Sequence, residues 1–87
     1  MTRPSKLLRQ VLSGSADANI PFEGLRSVLR TLGFDERVRG SHHIFTRAGV
    51  DEILNLQPRG ANAKAYQVKQ ARQIIVRYKL AGDADEL

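Results

Sequence analysis

Gly40-Ser41-His42-His43 is the stretch of this chain whose residue types can do chemistry, and it holds both of the chain's histidines. Imidazole titrates near neutral pH, so it can take a proton from a hydroxyl group and return one to a leaving group. With cations close by to stabilise the added negative charge, one imidazole suffices for an RNA 2′-hydroxyl to attack the adjacent phosphate. Such a reaction needs no metal and no organic cofactor. Gly40 allows a phosphate backbone to approach closely, and Ser41 can hydrogen-bond either the phosphate or the imidazole. Arg39, Arg47 and Lys64 are the expected phosphate-binding cations, and Arg37 and Arg59 also flank this region.

The same residues leave other readings open. Neighbouring side chains in a strand point to opposite faces, so His42 and His43 cannot share one metal ion in ordinary geometry. No Cys, His or carboxylate cluster adds further ligands, and no metal is expected. Alternation also permits one imidazole to be a half-buried sheet residue and the other a solvated one, with neither acting on a substrate. Ser41 has no carboxylate-oriented base near it in sequence and reads as a turn residue, not a nucleophile. Phe34 and Phe45 suit core packing better than base stacking. Walker, GxGxxG, GxSxG and HExxH patterns are absent.

These residues need a scaffold, and hydrophobic periodicity outlines one. Ser5 is placed to cap a short helix over Lys6–Leu12 that ends near Gly14. Ser13–Asn19 is a polar connector, and Pro21 is suited to the first turn of the next helix. Phe22, Leu25, Val28, Leu29 and Leu32 form one helical stripe, Arg26 and Arg30 a basic pair on its other side, and Gly33 a stop. Phe34 to Arg39 alternates with period two, Gly40 turns the chain, and Ser41–Arg47 returns as a second strand. A turn at Ala48–Asp51 leads to a third strand, Glu52–Gln57, ended by Pro58. Arg59–Ala63 reads as a loop. A long helix follows over Lys64–Leu80, with Tyr66, Val68, Ala71, Ile74, Ile75 and Tyr78 as its apolar stripe. The expected architecture is α+β: a three-stranded antiparallel sheet with helices on one face and the other face open.

At 87 residues the chain has room for one core. It divides into an N-terminal helix and connector (1–19), a central body (20–80) and an acidic tail (81–87). One core of this size supplies about 3–5 kcal/mol of stability, so a binding partner is plausible on thermodynamic grounds. Fourteen basic and nine acidic residues give +5, but Asp83, Asp85 and Glu86 carry three of those acids, so residues 1–80 hold 14 bases against 6 acids, a net +8. Such a balance favours a polyanion. The absence of cysteine excludes disulfides and thiolate metal sites, and no stretch suits a signal peptide or membrane span. A soluble, cytoplasmic chain is expected.

The segment Gly40-Ser41-His42-His43-Ile44-Phe45, preceded by a helix ending Leu32-Gly33-Phe34 and followed by a short strand and a helix, resembles the HicA family of bacterial toxins. Phe22-Glu23-Gly24-Leu25-Arg26 and the stretch from Asn55-Leu56-Gln57-Pro58 to Tyr66-Gln67-Val68 extend the likeness over roughly residues 20–80. The resemblance implies a double-stranded-RNA-binding-like fold and a metal-independent endoribonuclease that cleaves mRNA. It also implies a HicB-like antitoxin partner that covers the active site. The family's catalytic histidine carries over to His42, with His43 as the second candidate because some members place it one residue later. Shorter members carry a Pro-His pair and a Gly-Thr-Leu-Arg segment where this chain has Pro58-Arg59-Gly60 and Tyr66-Gln67-Val68-Lys69-Gln70. A non-catalytic RNA-binding domain is the alternative function.

Overall fold

Among the described residues, apolar side chains spaced three and four apart mark three α-helices. α1 (Lys6–Ser13) buries Leu8 and Val11, and α2 (Phe22–Thr31) buries Phe22, Leu25, Val28 and Leu29. α3 (Ala65–Arg77) buries Val68, Ala71, Ile74 and Ile75. A 3-10 turn at Asp17–Asn19 lies between α1 and α2. The computed structural model describes residues 6–82, so Ser5 and the acidic Asp83, Asp85 and Glu86 lie outside the described residues.

β1 (Asp35–Arg39), β2 (His42–Arg47) and β3 (Val50–Leu56) form an antiparallel meander in the order β1-β2-β3. The register places Arg39 opposite His42, Val38 opposite His43 and Glu36 opposite Phe45, with Leu56 opposite His43 on the other side. Glu36, Val38, His43, Phe45, Leu54 and Leu56 therefore share the face covered by the helices. Arg37, Arg39, His42, Thr46 and Asn55 stand exposed on the other face. Phe34 and Phe45 belong to the core, together with Ile20, Leu54, Leu56 and the buried stripes of the helices.

Several local expectations give way to tertiary structure. β3 starts at Val50, not Glu52, because Ala48 and Gly49 alone make the turn and a bulge between Phe45 and Arg47 takes up the remaining residues. Pro21 precedes α2 in extended conformation (φ −60°, ψ 136°) and is not in its first turn. The segment expected to be the loop Arg59–Ala63 is mostly a small hairpin, β4 (Pro58–Arg59) with β5 (Asn62–Ala63). Its partner explains both departures: Ala63 N–H donates to Ile20 O and Phe22 N–H to Ala61 O, each at 2.9 Å. A distant strand-like segment thus satisfies backbone groups that the local sequence leaves unpaired. α3 is shorter than its periodic stripe, ending at Arg77. Leu80 N–H closes its C-terminus onto Ile75 O at 3.0 Å, with Lys79 at φ 54°. Tyr66, expected on the buried stripe, is 58% exposed, and the neighbouring Gln67 is buried instead. Backbone groups at the end of β3 face α3, and the Gln67 carboxamide offers both an acceptor for Gln57 N–H and a donor for Asn55 O.

The N-terminal helix joins the body through a close approach. A Cβ at Gly24 would collide with Leu7 Cδ2, so glycine inside α2 lets α1 pack against it. Arg72 adds a polar clamp, donating to Val11 O at 3.0 Å and to both carboxylate oxygens of Asp17 at 2.9 and 3.1 Å. No helix among the described residues is long and apolar enough to cross a membrane.

Candidate functional site

A two-residue turn at Gly40 and Ser41 joins β1 to β2 and brings most of the expected residues to one end of the sheet. Gly40 has φ +59°, and open space lies where a side chain would project. Glycine takes this conformation without strain, and nothing crowds the approach to the turn.

The two histidines diverge as strand alternation requires. His42 is exposed on the open face, its Nδ1 3.1 Å from Asn55 Oδ1. His43 is half-buried on the helix-covered face, where its ring meets Phe22 edge-on with centroids 4.9 Å apart. His43 Nδ1 lies 2.7 Å from Glu36 Oε2. The same carboxylate, 9% exposed, accepts from Arg26 Nε at 2.6 Å and from Arg26 Nη2 at 3.0 Å. Arg26 also pairs with Glu23 at 2.6 Å, and Arg30 stands 3.9 Å from Glu36.

Hydrogen bonding from Arg26, ahead of that from His43, holds the Glu36 carboxyl below the ordinary carboxylate range although burial opposes it. Glu36 in turn raises the Arg26 guanidinium. An ionised carboxylate can only accept, so His43 Nδ1 carries a proton, and in the neutral ring the lone pair sits on Nε2. His43 makes its hydrogen bond through Nδ1, while no buried side-chain nitrogen or oxygen among the described residues lacks a partner. Nε2 therefore reaches solvent. A charged pair on Nδ1, the tautomer it favours and an Nε2 that is not sealed from solvent are features a general base needs.

A second set of bonds ties the turn to α3. Gln57 Nε2 donates to Ser41 Oγ at 2.8 Å, and Lys64 Nζ donates to Gln57 Oε1 at 3.3 Å. Buried Gln67 accepts from Gln57 N–H at 3.2 Å and donates to Asn55 O at 3.4 Å. Gln57 follows Leu56, the residue opposite His43, so this network borders the imidazole.

Among the expected cations, Arg39 and Lys64 lie at this end of the sheet. Arg47 lies at the other, about 13 Å along β2 from His43. Its guanidinium caps α2, donating from Nε to Leu32 O at 2.8 Å and from Nη1 to Ala48 O at 3.2 Å. Arg37, Arg39, Arg59 and Lys64 have no carboxylate partner among the described residues. Glu36, Arg26, Gln57 and Gln67 carry no local sequence signal of a functional role. Glu36 was within reach: once Gly40-Ser41 is taken as a two-residue turn, Val38 falls opposite His43 and Glu36 lies two residues away on the same face. Compared with protein-family models, with characterised proteins and with solved structures, the chain matches none.

Proposed function

We propose that the protein is a metal-independent endoribonuclease of the HicA kind, the toxin of a type II toxin–antitoxin pair, with His43 as its general base. The observation that carries this reading is the Arg26–Glu36–His43 chain, which ends in an imidazole whose Nε2 is not sealed from solvent. His42, held by a neutral amide on the open face, lacks comparable support. The order α2, three-stranded meander, α3, with the helices on one sheet face, supports a double-stranded-RNA-binding-like fold. Arg39, Lys64 and Arg59 supply cations for phosphates near the turn. The net positive body favours an acidic, HicB-like antitoxin as the partner that covers the site in the cytoplasm.

In the proposed step, His43 Nε2 removes the proton of a ribose 2′-hydroxyl, whose oxygen attacks the adjacent phosphorus while the P–O5′ bond breaks and the 5′-oxygen of the next nucleotide leaves, taking a proton from water. The product is a 2′,3′-cyclic phosphate, and Glu36 stabilises the imidazolium that forms. Purified protein is expected to cleave single-stranded RNA in EDTA. His43→Ala should lose at least about 100-fold in rate, and His42→Ala only a few-fold. The opposite ranking, or full activity in both variants, overturns the assignment.

A second reading, a non-catalytic RNA-binding domain, draws on Arg37 and Arg39, which lie on the open face without acidic partners among the described residues. It predicts salt-sensitive RNA binding that survives loss of both histidines, with no cleavage.

A further inference from the structure

Gln57 contacts both polar groups next to the turn, and its geometry decides what each can offer. Its carboxamide nitrogen occupies a lone pair of Ser41 Oγ, at 2.8 Å. The hydroxyl proton of Ser41 is thereby left to point elsewhere, and Ser41 becomes a donor towards an incoming group. Its carboxamide oxygen takes one N–H of the Lys64 ammonium at 3.3 Å, which leaves two for an anion. Ser41 Oγ and Lys64 Nζ are thus held one carboxamide apart, with donors to spare and no carboxylate on either among the described residues. The backbone of Gln57 is anchored separately through Gln67, so the side chain presents a fixed fork. Ser41 stands two residues before His43, about 7 Å along the chain, a distance comparable to the spacing of neighbouring phosphates.

We propose that Ser41 and Lys64 form a phosphodiester-binding subsite and that Gln57 is the positioning residue that aims both donors. The subsite holds a phosphate next to the one cleaved, and this rests on the nuclease reading above. The two donors suit the two free oxygens of one phosphodiester.

The test uses the full chain and two probes: a short single-stranded RNA, and its 2′-O-methyl form, which cannot be cleaved by 2′-hydroxyl attack. Gln57→Ala is expected to weaken binding of the 2′-O-methyl RNA about ten-fold and to raise KM for the cleavable RNA similarly. Its kcat should stay within two-fold, with an unchanged pH–rate profile. Gln57→Met, which keeps the volume and loses both hydrogen bonds, should behave alike and guards against a folding defect. Lys64→Met should lower the slope of log K against log salt by about 0.7, the loss of one single-strand phosphate contact. Wild-type affinity and salt slope in folded Gln57→Ala and Gln57→Met overturn the subsite, whether or not the protein cleaves RNA. If wild type binds but does not cleave, and these variants bind more weakly, the nuclease reading falls while the subsite stands.

Discussion

Replacing Glu36 with glutamine tests the charged pair behind His43 with little change of shape. The carboxylate accepts three charge-assisted hydrogen bonds, two from Arg26 and one from His43, and is nearly buried. Glutamine retains one acceptor oxygen, turns an NH2 towards a donor, and leaves the Arg26 charge half-buried without its main counter-ion. Hydrogen bonds to charged groups contribute about 1.5–3 kcal/mol each, so losing one and weakening the others should lower stability by about 2–4 kcal/mol. For a domain of this size that is a fall in Tm of roughly 10–25 °C. Urea denaturation followed by circular dichroism over a pH series measures it. Because the folded pKa of Glu36 is depressed, its contribution is present above the ordinary glutamate pKa and is lost as pH falls through the folded value. Wild type should therefore lose stability progressively below about pH 4.3, and Glu36→Gln should show a shallower acid slope. Some slope will persist, since the Tyr78 hydroxyl also holds Glu52 below its ordinary range. Parallel stability–pH curves for the two proteins in acid would refute the argument.

Other positions give independent checks. Lys79→Gly should raise Tm by about 4–8 °C, because a lysine occupies the left-handed position that ends α3 and glycine removes about 1 kcal/mol of strain there. Gly24→Ala should destabilise by about 1–3 kcal/mol in thermal melts through its clash with Leu7. Arg47→Met should reduce stability by about 1 kcal/mol through lost capping of α2, while RNA affinity measured by anisotropy stays within two-fold. A ten-fold loss of affinity in that variant would return Arg47 to the phosphate-binding set.

What could be read from the sequence follows the range of the interactions involved. Phe22, Leu25, Val28 and Leu29 mark α2 by their spacing, and period-two alternation with Gly40 marks the β1–β2 hairpin, because both signals are local. The separation of His42 from His43 onto opposite faces follows from strand geometry alone. The β4–β5 hairpin was not legible, since its stabilising partners Ile20 and Phe22 lie about forty residues away in sequence. Gln67 was hidden for a related reason: a polar residue beside an apolar stripe looks solvated until the end of β3 and the residue after it supply Asn55 O and Gln57 N–H for it to bond. Arg26 looked like one half of a solvated basic pair with Arg30, and its placement under β1 depends on how α2 docks against the sheet.

The pairing of Ile20 and Phe22 with Ala61 and Ala63 also constrains the order of events during synthesis. The β1–β2–β3 meander is built from neighbouring segments and can close as soon as residue 56 has left the ribosome. The apolar stripe of α2 has no complete seat until residue 63 has emerged, and α1 must wait longer for α3, against which it packs. For that interval the nascent chain exposes Leu25, Val28 and Leu29, which makes residues 20–32 the stretch most open to chaperones while translation proceeds.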